Sequence, residues 1–426
     1  NLFKKGDIVG IKVQIGEYGN FLNIRPQWVK AIVEEVQKLG GKPVLVDCTS
    51  IVNSDFSSCA TRDDYLRAAS RYGFTEETMG CPIYIADGAY GFDDVQVPVP
   101  NGVFLKHAFI GKKLLELDAC IVVSHFTGDS MGVYSGAIQN VGLGMGSKRG
   151  KMTALFLNHP IYGIINSGWS QDAAQKVAQP IDNSEVTILE RLIKCCPFDA
   201  LEWKDEKFDF NKDICTNCGV CFFEAFSSGI LKLNPEIFAI WPSAIADSAA
   251  AYINAIGKNK FLYVNYAMDI TPYGDTTAFQ DKQMIPNLGV YVSNDPVSVD
   301  LACLDAAEDS VCIPGARTEE LGLSKQNTER FTNCSSSTKE SQWSQVNTAV
   351  FNGLGSDEYI LVKSVPGREE NYWFPPYTPN NTFCTVNKAG LAFGIYDPGE
   401  YYQQQPKLSI IELSARPKKK SRNGLF

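Results

Sequence analysis

Cys215, Cys218 and Cys221 form a C-x2-C-x2-C run, CTNCGVC, and a fourth cysteine followed by proline stands upstream at Cys196-Pro197. Three thiolates at successive three-residue steps suit three corners of an iron–sulfur cubane. In two-cluster bacterial ferredoxins each run is C-x2-C-x2-C-x3-C-P, and its fourth cysteine ligates the other cluster. Counting back from Cys196 by that spacing places Val186, Leu189 and Leu192 where a first run has its cysteines. Counting on from Cys221 places Ala225 at the remaining position. One ligand set is wholly absent and the other, Cys196, Cys215, Cys218 and Cys221, is complete. The pattern predicts a former two-cluster module reduced to a single 4Fe-4S cluster. A structural zinc site also takes four thiolates, though usually as two C-x2-C knuckles across a longer gap; free buried thiols are the third reading. Cys195 could substitute for the fourth ligand, and the Cys-Pro pair favours Cys196.

A second concentration of candidate chemistry follows the apolar run 119–124. His125 leads into GVYSGAIQNVGLGMGSKRGK, residues 132–151, which holds Gly132, Gly136, Gly142, Gly144, Gly146 and Gly150. Glycines let a backbone approach a ligand closely and expose amide donors. Gly136, Gly142, Gly144 and Gly146 with Lys148 are therefore candidates for holding an anion or nucleotide phosphate, with Arg149 and Lys151 adding charge. The loop is neither a Walker loop nor a G-x-G-x-x-G opening the first helix. Of the three histidines, His107, His125 and His159, His125 is best placed for acid–base work or metal ligation. The alternative is a structural histidine bonded to a nearby carbonyl. Asp269 and Asp275 could converge on His125 as hard metal or acid–base groups, whereas Asp295 before a proline reads as a helix cap.

These residues need elements to position them. Residues 7–15 read as a buried strand, a glycine loop 16–20 follows as a candidate lip of the site, and Arg25-Pro26 opens a helix that Gly40-Gly41 ends. Residues 42–48 read as the next strand, so the short crossover forms a βαβ unit with a parallel pair. Strand signals recur at 83–86, 119–124, 261–266 and 289–293, with helical stretches at 112–117, 244–256 and from Pro296 to about residue 307. The expected fold is α/β: a doubly wound, mainly parallel sheet with ligands at the strand carboxyl ends, a small ferredoxin-like 4Fe-4S insert, and a C-terminal extension. The expected divisions are 1–184 and 234–366 for the α/β domain, 185–233 for the insert and 367–426 for the extension.

Composition excludes several classes. With 426 residues, 44% of them hydrophobic and 20% charged, the chain can build a sizeable core. A net charge of −9 gives no overall attraction to nucleic acid, and the basic stretch 416–422 reads as a solvated terminus. No apolar run reaches the roughly 18–20 residues of a membrane span. Scattered single cysteines suit a reduced cytoplasm. The triplets 333–335 and 380–382 match the glycosylation acceptor, and Cys334 and Cys384 could form a disulfide, which would suit export instead. The aromatic and proline segment 372–383 reads as a surface wrap.

Four segments carry a family resemblance: GDIVGIKVQIGEYGN near the start, VSHFTGDSMGVYSGAIQNVGLGMGSKRGKM, VNYAMDITPYGDTTAFQD and PNLGVYVSNDPVSVDLACLD. With the cysteine run they resemble, in matching order over residues 6–365, the family catalogued as domain of unknown function 362. The resemblance implies an α/β domain carrying a ferredoxin insert, frequent in anaerobes, with no generally established reaction. Family members usually have lysine where this chain has Gln139, and cysteines where it has Gly274 and Thr276. The segment 124–144 also resembles the glycine loop of lactate racemases, which bind a nickel-pincer nucleotide through the lysine that Gln139 replaces here. That replacement argues against the same attachment.

Three functions follow as expectations. The first is a one-cluster redox protein passing single electrons to a protein partner or to a crevice that could also hold a second small-molecule or metal ligand. The second is an isomerase, racemase-like or other enzyme at the His125 crevice with a structural cluster. The third is a non-catalytic binding or assembly subunit.

Overall fold

The structure, a computed structural model, describes residues 2–51, 57–157, 169–179, 186–211, 213–216, 218–232, 235–325, 327–335, 340–363 and 411–415. His159, Cys384, the 380–382 triplet, the segment 372–383 and the basic stretch 416–422 lie outside them.

Strand β1 (Ile8–Lys12) leads through the glycine loop to helix α1 (Pro26–Lys38), which has proline in its first turn and stops before Gly40 at φ +85°. Its buried Val29, Val33 and Val36 recur at helical spacing. The chain returns as β2 (Lys42–Asp47), and then come α2 (Arg62–Arg71) and β3 (Ile83–Ile85). The next sheet strand is β4 (Ala119–His125), followed by α3 (Ala137–Gly142), α4 (Trp241–Ile256), β5 (Phe261–Ala267), β6 (Gly289–Ser293) and α5 (Pro296–Asp309). Asp295 caps α5, accepting from the amides of Val297 and Ser298 as the Asp-Pro pair predicts.

The six strands lie in the order β6-β5-β4-β1-β2-β3, all parallel except β6, which runs antiparallel to β5 at the edge. From β1 the chain builds outward through β2 and β3, then crosses back to lay β4 and β5 on the other side. The order therefore reverses between β1 and β4, and a crevice opens at their carboxyl ends.

Alternation along β1 assigns the two faces. Val9, Ile11, Val13 and Ile15 pack with Val29, Val33 and Val36 of α1 and with Tyr65, Ala68 and Ala69 of α2 in one core, joined by Ile121 and Val123 of β4. Lys12 points the other way, toward Asn140 of α3, and Asn265 of β5 reaches Asp300 of α5. Helices thus cover both faces. The expected helix at 112–117 is a 3-10 turn, Lys112–Glu116, and β1 stops at Lys12 because the chain turns into the crevice loop there. Two short antiparallel pairs escape the strand pattern: Asp94–Pro98 with His107–Gly111, and Thr127–Asp129 with Val133–Ser135 inside the glycine loop.

In the cysteine region a helix, Ile188–Lys194, opens with a Thr187/Glu190 capping box. A hairpin follows, Leu201–Lys204 with Lys207–Phe210, whose two turn residues, Asp205 and Glu206, both have positive φ as a two-residue primed turn requires. The helix Phe222–Ser227 then begins directly after Cys221. The described residues up to Asp357 pack as one unit and those from Glu358 as a second. The second is described only as the antiparallel pair Ile360–Lys363 and Ile411–Ala415. Among the described residues no helix is long and apolar enough to cross a membrane.

Gly142 ends α3 where it crosses α4, and a Cβ there would collide with the Ile245 carbonyl. Gly142→Ala is expected to lower stability by about 1–3 kcal/mol through overpacking, read as a lower midpoint in urea with unchanged slope.

Candidate functional site

The crevice is built on a buried lysine. Lys12, fully buried at the end of β1, places Nζ 2.8 Å from Asp47 Oδ1 and donates to the Val13 carbonyl at 2.9 Å and to Asn140 Oδ1 at 2.7 Å. Three protons meet three acceptors, so the ammonium is fully used. Asp47 also accepts from the Tyr65 hydroxyl and from the Cys48 amide, and Asn140 donates onward to the Val123 carbonyl and Ser124 Oγ. The network ties β1, β2, β4, α2 and α3 together at the point where the sheet order reverses. Burial and the neighbouring Asp47 carboxylate hold the Tyr65 phenol well above its ordinary range.

Above this network lies a cavity of about 310 Å³, the size of a small-ligand pocket. Its walls come from Gly16 and Glu17 after β1, the stretch 47–51 after β2, Gln139 and Gly144 of the glycine loop, and Asp275. The loop 16–20 forms one lip, as its sequence suggests. Gln139, Gly274 and Thr276, the positions that depart from the family pattern, gather here. Gln139 and Thr276 line the cavity, and Gly274 lies against Asp129. Gln139 Oε1 is buried with no hydrogen-bond partner among the described residues.

His125, Asp269 and Asp275 do converge. His125 Nδ1 lies 2.8 Å from Asp275 Oδ1, and Nε2 lies 2.7 Å from the Met268 carbonyl. Both partners are acceptors, so both ring nitrogens carry protons. Burial disfavours that charge, but Asp275, the Met268 carbonyl and Asp269 outweigh it and raise the histidine pKa above 6.5. While protonated, the ring donates from both nitrogens and has no lone pair for a metal or a substrate proton. This geometry meets the structural alternative, extended by an ion pair. Asp269 is itself bound by Arg25 and Gln283.

The glycine loop serves packing more than anion binding. The first amides of α3, which Gly136 precedes, donate to the Asp300 carboxylate of α5, Ala137 at 2.7 Å and Ile138 at 2.9 Å. A protein carboxylate therefore occupies the place expected for a phosphate. Burial pushes Asp300 up to about 6 despite these donors. Gly142 admits α4, Gly146 lies against the Tyr252 hydroxyl, and Gly144 makes room for Lys12 and lines the cavity. Lys148 is buried and donates to the Ser50 carbonyl, while Lys151 is the loop lysine that lines the cavity.

The cysteine loop adjoins this site. Burial, and after it the neighbouring Cys195, Cys218, Cys215 and Cys196, holds the Cys221 thiol well above the ordinary range. Cys195 Sγ donates to the Leu192 carbonyl at 3.0 Å, whereas Cys196 Sγ accepts from the Ala200 amide at 3.3 Å. An amide donor on sulfur suits a thiolate better than a thiol, which distinguishes Cys196 from Cys195. Among the described residues no group of three or more His, Cys, Asp or Glu side chains could hold a metal ion. Leu189, Leu192 and Ala225, at three positions of the missing ligand set, are buried apolar side chains, and Val186 is partly exposed. Cys334 is a free thiol, and so are the buried Cys48, Cys59, Cys120 and Cys303.

Sequence reasoning overlooked Lys12, Asp47, Tyr65 and Asn140. The available signal was Lys12 itself, one charge at the end of the otherwise apolar strand IVGIK.

An α/β protein with a parallel sheet and a ligand-sized cavity at its switch point is the class that this fold and site define. The chain matches the family described as Domain of unknown function (DUF362) over residues 9–305, and it belongs to that family. No curated protein matches it. Among solved structures it is similar to the lactate racemase apoprotein from Thermoanaerobacterium thermosaccharolyticum, with 11% identity over 63% of this chain and 44% of that chain, at a TM-score of 0.29. The chain thus spans less than half the length of that protein.

Two outcomes check the site. Lys12→Met leaves Asp47 as a buried charge without its cation and is expected to cost about 3–5 kcal/mol; Asp47→Asn added to it recovers part of that loss in urea unfolding. For His125, the raised pKa means that the paired imidazolium stabilises the fold fully below about 6.5, the unfolded value. That contribution fades as pH rises from there through the folded pKa. Asp275→Asn should bring the His125 titration, followed by ring-proton NMR, down toward or below 6.5 and remove this decline.

Proposed function

We propose that this chain is an iron–sulfur oxidoreductase domain in which Cys196, Cys215, Cys218 and Cys221 hold one 4Fe-4S cluster beside a small-molecule site in the switch-point cavity. When bound, such a cluster supplies single electrons. The observation that carries the reading is a shared wall. Met152 packs on Gly219, between Cys218 and Cys221, while Lys151 of the same short helix and Leu155 just beyond it line the cavity. The short helix Lys148–Met152 and the turn after it therefore lie between the cysteine loop and the cavity.

The helix, hairpin and helix around the cysteines support a ferredoxin-like lobe, and the buried Leu189, Leu192 and Ala225 support the loss of its second cluster. Cys196 is the proposed fourth ligand because its sulfur accepts an amide, while Cys195 is turned to donate to a carbonyl. Beside the cavity, Lys12 has all three ammonium protons committed and the protonated His125 ring both of its own, so they fix geometry and charge. Asp275 is held in place by His125 and presents its carboxylate to the bound molecule. The engaged histidine counts against acid–base isomerisation at that residue. A redox protein partner would supply or remove the electrons, and the buried free thiols support a reducing, cytoplasmic setting.

Anaerobic preparation with iron and sulfide analysis and low-temperature electron paramagnetic resonance tests this. About four irons per chain and one reducible cubane signal are expected, lost in Cys218→Ala and Cys196→Ser and kept in Cys195→Ser. Zinc in place of iron, or two interacting clusters, overturns it.

A further inference from the structure

We propose that the hairpin turn 130–133 is a movable wall of the switch-point cavity and that Gln345, on the helix Ser344–Phe351 beyond the family match, is the clamp that holds it in place. The inference rests on the cavity being the small-molecule site and is independent of the cluster.

The turn is strained where it is held. It joins the paired strands Thr127–Asp129 and Val133–Ser135, and Val133 sits at φ +73°. A β-branched side chain crowds its own backbone in that conformation, which hairpins usually leave to glycine and which survives only where the surroundings enforce it. Two buried side chains enforce it here. Asp129 Oδ1 accepts from the amides of Met131 at 2.8 Å and Gly132 at 2.9 Å. Gln345 Nε2 donates to the carbonyl of Gly132 and, at 2.8 Å, to that of Tyr134. The two carbonyls that Gln345 holds thus flank Val133 in the chain. Asp129 belongs to the hairpin itself, whereas Gln345 lies 211 residues beyond Tyr134.

The held arrangement also leaves hydrogen bonds unmade. A Cβ at Gly132 would lie 2.0 Å from Gln139 Oε1 and 2.7 Å from Gln345 Nε2, so both glutamines crowd that glycine. Oε1 of each is buried with no hydrogen-bond partner among the described residues. An unmet buried acceptor costs free energy, as does a left-handed valine. Release of the turn lets Val133 relax and lets donors reach those oxygens, and the two Gln345 bonds oppose it. Met131 and Gln139 both line the cavity, so its wall moves with the turn. A ligand that displaces Met131 loosens the grip of Gln345, and by linkage anything that frees Gln345 favours that ligand. Gln345 is thus a positioning residue for the cavity.

The test follows the anaerobically prepared full chain by amide hydrogen exchange and by N-ethylmaleimide labelling, both read peptide by peptide by mass spectrometry. Cys48 and Cys59 line the cavity and report on its wall, while Cys120 and Cys303, buried and outside its lining, report on global opening. Gln345→Met keeps the bulk of the side chain and loses both bonds; Gln345→Asn, with its amide one methylene short, does the same in milder form. Exchange over 130–135 and labelling of Cys48 and Cys59 are expected to rise about tenfold in Gln345→Met, the order of magnitude of two hydrogen bonds, with Cys120 and Cys303 unchanged. Met131→Ala should speed labelling of Cys48 and Cys59 without altering exchange in the turn. Unchanged exchange in both Gln345 variants overturns the clamp. Faster exchange with the cavity thiols unchanged overturns the movable wall, and equal acceleration at Cys120 and Cys303 assigns Gln345 to the fold as a whole and overturns it too. Cys48 and Cys59 that label no faster than Cys120 and Cys303 in every variant, Met131→Ala included, overturn the cavity as a ligand site, which is a separate failure.

Discussion

A lysine ammonium buried at the end of the central strand organises this molecule. Taking a charge out of water is costly unless every proton finds an acceptor, and Lys12 finds Asp47, Asn140 and the Val13 carbonyl. Those partners sit on β2, α3 and the chain leaving β1, so satisfying one ammonium fixes the relative positions of the elements that flank the switch point. The cavity is what remains above that arrangement. Its floor is polar but closed, and its rim is made of loops that the network has already placed.

The same economy explains the glycine loop. A glycine-dense stretch after a buried strand invites comparison with phosphate-binding loops, yet the amides at the start of α3 belong to Asp300, and Gly142 and Gly146 are needed because α4 passes so close. His125 likewise spends both ring nitrogens on Asp275 and the Met268 carbonyl. The groups nearest the cavity are thus mostly committed to one another. Their hydrogen-bonding capacity is spent within the protein.

In the cysteine region Leu189, Leu192 and Ala225 are buried, whereas Val186 is exposed. The Arg191–Glu224 pair links the two helices that flank the loop.

The local sequence determined the strand and helix order. The apolar runs, Pro26 at a helix start, Gly40 at its end and Asp295 before Pro296 each act within a few residues, so β1 through β6 and the capped α5 were legible. The cysteine spacing is likewise a local pattern, read within one short loop. Only the tertiary structure decided which charges met. Lys12 and Asn140 are 128 positions apart and His125 and Asp275 are 150 apart, and no local pattern encodes such pairs. It also turned the glycine loop toward packing, because the helix that demands those glycines lies about a hundred residues further along the chain. Spacing within a loop is fixed by covalent geometry, whereas the fate of a buried charge depends on which distant acceptor the fold delivers to it.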